Sequence, residues 1–218
     1  MATSVTYDGD IAVLTLGDDE NRFSPDWIDS VNAHLSEIET KATGLITAGE
    51  GKFYSNGLDL DWLIANSERG DWYVDQVHNL FARMLTFPLP TVAAVNGHAF
   101  GAGAMLAIAH DYRIMRSDRG YYCFPEVDIH IPFTPGMAAL VQAKLTPQSA
   151  ITAMTTGRRF GATEALEAGL IDACAADGEV VDAALNKLKD AGKDRTTLAA
   201  IKSTMFASVT TALRQGRQ

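Results

Sequence analysis

Apolar residues fall in short runs broken by Gly, Asp and Pro, and these runs predict the order of elements. Residues 5–7 and 11–16 flank Asp8-Gly9-Asp10, which predicts a hairpin. Ser24-Pro25 then reads as an N-cap and first helical position. Trp27, Ile28, Val31, Leu35 and Ile38 follow at helical spacing. GLIT at 44–47 is a continuous apolar run, which predicts a buried strand ending in the turn Gly49-Glu50-Gly51. A second helix is expected over about residues 71–86, stopped by Pro88 and Pro90.

Residues 91–95 (TVAAV) predict another buried strand. A Gly/Ala-rich turn then opens a helix directly, within NGHAFGAGAMLAIAHD at 96–111. Further strands are expected at 112–115 and 121–124 around a turn at 117–120, and helices near 134–144, 147–156, 162–168 and 179–189. Strands alternating with helices imply an α/β fold with mainly parallel pairing.

Residues 88–109 carry no formal charge over a span long enough to cross a bilayer. Two prolines, Asn96, His98 and three glycines interrupt that span, so a buried strand followed by a buried helix is the expected reading, with no membrane partner. At 218 residues, 47% hydrophobic and 21% charged, the chain has the composition of an ordinary globular domain. A net charge of −9 without any Lys/Arg cluster argues against a nucleic-acid surface. Cys123 and Cys174 are too few for a disulfide framework and are expected to be reduced thiols. The opening MATSVTYDGD has no basic region followed by an apolar one, so no signal peptide is expected and a cytoplasmic location is the reading.

Candidate chemistry concentrates in two places. Small residues in the 96–105 turn leave backbone N–H groups uncovered at a helix start, where a substrate can approach them. FPEVDIHIP at 124–132 places one carboxylate, Glu126, in an apolar run; partial desolvation there raises a carboxyl pKa and makes a better base. Asp128 shares the face of Glu126 if the segment is extended and not if it turns. Among the histidines, only His130 is close enough in sequence to Glu126 to be a candidate, since neither His98 nor His110 has a nucleophile at a recognisable spacing. Other motifs fail. Gly101-Ala102-Gly103 lacks the third glycine of a dinucleotide fingerprint, Gly51-Lys52 is followed by Phe53 and makes no P-loop, and no GxSxG elbow or metal-ligand cluster appears.

Three segments in order, FYSNGLDL at 53–60, NGHAFGAGAM at 96–105 and GRRFGATEALEAGLID at 157–172, resemble the enoyl-CoA hydratase/isomerase (crotonase) superfamily. HDYRIMRSDRGYYCFPEVDI at 110–129 most resembles the short Δ3,Δ2-enoyl-CoA isomerases of the plant-peroxisome type, although the C-terminal GRQ departs from an SKL-type address. The resemblance implies a ββα spiral over residues 1–145 and a short C-terminal helical region over 146–218. Relatives use a longer C-terminal region to build trimers, and a homotrimer is expected here too. It implies the backbone N–H groups of Leu58 and Ala102 as oxyanion donors, Glu126 as acid/base, and Arg22, Ser55, Asn56, Gly57, Gly101 and Met105 as substrate-binding positions. CoA enters as part of the substrate, so no metal and no separate cofactor is expected.

Met105 decides between reactions. Superfamily hydratases carry a second glutamate there to hold the water that adds to C3, and a thioether neither ionises nor accepts strongly. The expected activity is therefore the shift of a 3-enoyl-CoA double bond to 2-trans-enoyl-CoA. The alternatives are hydration or other enolate chemistry on acyl-CoA, and a catalytically silent acyl-CoA-binding relative, against which the presence of Glu126 argues.

Overall fold

The computed structural model describes residues 3–189 and 192–215. Strands β1 (Ser4–Asp8) and β2 (Ile11–Thr15) form the expected antiparallel hairpin, with Gly9 at φ 54° supplying the left-handed turn residue. Strands β3 (Gly44–Ala48), β5 (Thr91–Val95), β7 (Tyr112–Arg116) and β9 (Ala173–Ala175) continue from β2 in parallel, giving a six-stranded sheet in the order β1-β2-β3-β5-β7-β9. A smaller parallel sheet holds β4 (Phe53–Ser55), β6 (His98–Phe100) and β8 (Tyr122–Cys123).

The first turn places both β1 and β2 in the large sheet; the three turns from β3 to β8 then each add one strand to the large sheet, one to the small sheet, and then helix. This is the ββα spiral of the crotonase fold. Three details differ from the sequence expectation. The turn after β5 does not open a helix directly, because β6 intervenes. The strands expected around 117–120 do not pair with each other; β7 and β8 belong to different sheets. Beyond residue 145 the chain is not wholly helical, since β9 pairs with β7 at the edge of the large sheet.

The helices form where caps and apolar spacing coincide. In α1 (Pro25–Lys41), Ser24 Oγ accepts from the Trp27 N–H at 3.2 Å, and Ile28, Val31, Leu35 and Ile38 are buried. Three further pieces complete the first half: α2 (Leu60–Ala65), a 3₁₀ turn (Ser67–Arg69) and α3 (Gly70–Leu85), the last ending just ahead of Pro88. Helix α4 (Ala102–Ala109) is buried at every position and runs through the core, which is why it needs no charge. No helix among the described residues is long and apolar enough to cross a membrane. Helices α5 (Pro135–Lys144), α6 (Pro147–Thr156) and α7 (Ala162–Glu167) follow, and α8 (Val180–Leu188) covers the far face of the large sheet with Val180, Ala184 and Leu188 against Ile46, Val92 and Ile114.

The last helices, α9 (Arg195–Met205) and α10 (Ala207–Arg214), lie back on their own chain. A Cβ at Gly136 would sit 2.7 Å from Leu213 Cα, so this glycine sets how closely α10 approaches α5. Lys202 of α9 is buried and donates to Phe87 O at 3.1 Å, Leu89 O at 2.8 Å and the Asp111 carboxylate at 2.6 Å. Burial holds its pKa below the usual lysine value, against the raising effect of Asp111. Asp111→Ala would leave a buried ammonium without its counter-charge and should cost about 3–5 kcal/mol in chemical denaturation. Replacing both groups, in Asp111→Ala/Lys202→Met, should recover much of that loss. Equal stability of wild type and Asp111→Ala would show that the pair does not hold α9 in place.

Candidate active site

Two backbone segments meet at the start of α4. Ser55 ends β4, its hydroxyl donating to Asn21 O at 2.7 Å and accepting from the Gly57 N–H at 3.1 Å. Gly57 has φ 84°, and a Cβ there would lie 2.7 Å from Phe100 O and 2.9 Å from Ala102 N. Only glycine allows that approach. The chain then pairs with Phe23, whose N–H donates to Gly57 O at 2.8 Å, while the Asp59 N–H donates to the Tyr73 hydroxyl at 2.9 Å. On the other segment Gly101, at φ 51°, donates its N–H to Cys123 O at 3.0 Å, and its carbonyl accepts from the Met105 N–H at 3.0 Å. Among the described residues, no acceptor in the chain takes the N–H of Leu58 or of Ala102.

Both residues line a cavity of about 410 Å³. Its remaining wall includes Asn56 and Phe100 at the oxyanion loops, and Met137, Ile129, Ile131 and Pro132 on an apolar side. Ala102 occupies the first turn of α4, where N–H groups have no intrahelical partner and the dipole favours negative charge. Gly103 is also required here. A Cβ on it would run into the backbone carbonyl of Ser55, so small residues let the helix start rest on β4.

Glu126 projects into the same cavity from a turn, not from a strand. Asp128 and Ile129 donate their N–H groups to Pro125 O at 2.9 and 3.1 Å, and Ile131 donates to Glu126 O at 3.0 Å. The turn therefore separates Asp128 from Glu126; the Asp128 carboxylate packs against Gly157 instead. Glu126 is 8% exposed, and its Oε2 has no hydrogen-bond partner. Loss of hydration pushes its carboxyl up to about 7. A Cβ at Gly101 would meet Glu126 Oε1 at 3.4 Å, which puts the carboxylate beside the residue preceding Ala102.

The other sequence candidates divide clearly. Gly101 and Met105 line the cavity, and Met105 is 1% exposed. Ser55 and Gly57 stand behind its wall and shape the loop. Arg22 lines the mouth but is already engaged by Glu20 and by Asp61 at 2.7 Å, and both pairings raise its pKa. His110 is buried between Thr47 Oγ1 at 2.9 Å and Leu106 O at 2.8 Å; burial lowers its pKa to about 3, so it stays neutral. His98 packs at tilted angles against the rings of Phe53, Phe100 and Tyr121, and does not line the cavity. His130, at φ 58°, lines a neighbouring depression that shares Glu126 with the cavity. Arg159 also lines the cavity, and sequence reasoning missed it; nothing in GRRF distinguishes its role from that of Arg158. Among the described residues no cluster of three or more His, Cys, Asp or Glu is placed to hold a metal ion.

The pocket lining thus combines two residues whose backbone N–H groups have no acceptor among the described residues with one desolvated carboxylate, among mostly apolar side chains. Comparison with known proteins identifies the family. Residues 6–218 match the family model described as enoyl-CoA hydratase/isomerase. The chain is 40% identical over 181 residues to enoyl-CoA delta isomerase 3 of Arabidopsis thaliana, covering 78% of this chain and 75% of that protein. It is 31% identical to a putative enoyl-CoA hydratase of Thermus thermophilus over 200 residues, covering 87% and 77% respectively. The crystal structure of a probable enoyl-CoA hydratase from Mycobacterium tuberculosis superposes with a TM-score of 0.92 at 27% identity, over 99% of this chain and 93% of the other. The chain belongs to the enoyl-CoA hydratase/isomerase family, within the crotonase superfamily, and is an enzyme of its isomerase-like branch.

Proposed function

We propose that the protein converts a 3-enoyl-CoA into the 2-trans isomer. One observation carries this reading: Glu126 is the only buried carboxylate among the described residues lining the cavity, and Met105 stands where a hydratase needs another. The substrate's thioester oxygen lies between the N–H groups of Leu58 and Ala102. Glu126 removes a proton from C2, and the electron pair moves toward the thioester, leaving a dienolate whose oxygen carries the charge. The same carboxyl then returns the proton at C4, so the double bond moves from C3–C4 to C2–C3 and nothing is gained or lost. An oxyanion donor of this kind is worth about 3–4 kcal/mol of barrier, and the acid/base group about 10²–10⁴-fold in rate. The apolar walls keep the carboxylate poorly hydrated, which is what raises its basicity.

The base must be ionised to act, and its pKa stands at about 7. The rate constant kcat/KM for a 3-enoyl-CoA should therefore rise with pH through about 7 and level off above it. Measuring it between about pH 5.5 and 8.5 with a thioester lacking the CoA phosphates isolates the enzyme's titration. A flat profile over that range would remove Glu126 as the base.

A further inference from the structure

Two arginines line the cavity, and they differ in what balances their charge. Arg22 is held between the carboxylates of Glu20 and Asp61. Arg159 makes no ion pair among the described residues; its guanidinium carbon lies 5.7 Å from the centroid of the Phe100 ring. Its neighbour Arg158 is spent differently, on Glu164 at 2.6 Å and over the Phe160 ring. Arg159 is also well anchored for an exposed residue. Phe160 and Tyr122 exchange two backbone hydrogen bonds of 2.9 Å, and the Cys123 thiol donates to Gly157 O at 3.3 Å, so both flanks of Arg159 are tied to β8.

We infer that Arg159 is a specificity-determining residue that docks an anionic oxygen group of the thioester substrate. That group is a phosphate of the thiol carrier or a carboxylate at the far end of the acyl chain. An aromatic ring near a guanidinium favours its charged head without using up its N–H donors, and two of those donors in a fork match a phosphate or carboxylate. The net charge of −9 gives this placement weight, since an anionic ligand meets an acidic protein and needs one local cation that is not already neutralised. The inference rests on reading the cavity as the acyl-CoA site.

Four thioesters separate the possibilities: a 3-enoyl chain, plain or carboxylated at its far end, on CoA or on N-acetylcysteamine. Arg159→Gln should lose at least about tenfold in kcat/KM wherever the docking anion is present, and Arg159→Lys should recover part of it. Loss on both CoA thioesters with both N-acetylcysteamine thioesters spared identifies a carrier phosphate. Loss on both carboxylated chains with the plain chains spared identifies the distal carboxylate. Equal values for wild type and Arg159→Gln on all four substrates would overturn the inference, and so would an equal loss on all four, including the uncharged one. If wild type turns over none of them, the isomerase reading fails; the dissociation constants of the saturated analogues, measured by calorimetry on wild type and Arg159→Gln, then decide the role of Arg159 by the same comparison.

Discussion

Glu126→Gln should lower kcat for 3-enoyl-CoA isomerisation by at least about a hundredfold, with acyl-CoA affinity nearly unchanged. The substitution keeps the shape of the side chain and removes its ability to take a proton. It should also raise stability. A carboxyl that ordinarily titrates at 4.5 but is pushed to about 7 by burial disfavours its charged form in the folded state. Stability is therefore full below about 4.5, falls as pH rises toward 7, and stays lower above it. At pH 8 the variant should exceed wild type by up to about 3 kcal/mol in chemical denaturation, a difference that vanishes near pH 4. Loss of activity together with a gain in stability is the mark of a group kept for chemistry. A folded Glu126→Gln enzyme retaining most of its activity would remove the residue from the mechanism.

Ala102→Pro should cost about a hundredfold or more in kcat/KM, and Ala102→Gly should be mild. The proposed donor is a backbone N–H, which only proline deletes. Ala102 is the first residue of α4, a position where proline's missing N–H breaks no intrahelical bond and its fixed φ suits the helix start. Strain is to be expected one residue earlier, because Gly101 sits at φ 51° and ψ −121°, outside the region proline favours in its predecessor. Circular dichroism and a denaturation curve therefore accompany the assay. A folded Ala102→Pro enzyme with more than a tenth of wild-type kcat/KM would place the developing oxyanion elsewhere.

The chain's legibility followed how local each signal is. Ser24-Pro25 and the apolar spacing of Ile28, Val31, Leu35 and Ile38 mark α1 because cap and face lie within one segment. Pro88 and Pro90 mark the end of α3 for the same reason. Strands β6 and β9 are three residues each, too short for an alternating pattern, and their pairing partners lie far away in sequence. The strands flanking 117–120 look like a hairpin in sequence; that they diverge into two sheets is decided by β5 and β6 beside them.

The site divides along the same line. Glu126 was readable because Phe124-Pro125 and Val127 supply its apolar setting, and Gly101 and Gly103 announce a crowded helix start. The engagement of Arg22 by Asp61 joins residues 39 apart, and no local pattern foretells it. Arg159 reaches the cavity only because the 157–161 loop is tied to β8, a contact between distant segments. Whether the turn after Pro125 is extended or folded depends on its own N–H groups returning to Pro125 O, and residue identities alone leave both open.

The central claim is that one carboxylate and two N–H groups, with Met105 in place of a second acid, make an isomerase and not a hydratase. Hydration needs a water oriented opposite C3, and a missing general acid/base group costs about 10²–10⁴-fold. The most direct measurement is wild-type kcat/KM for conversion of a 3-enoyl-CoA to its 2-trans isomer, set against kcat/KM for hydration of crotonyl-CoA in the same preparation. The account predicts that isomerisation leads by at least about two orders of magnitude. Efficient hydration of crotonyl-CoA without 3-enoyl isomerisation would contradict it.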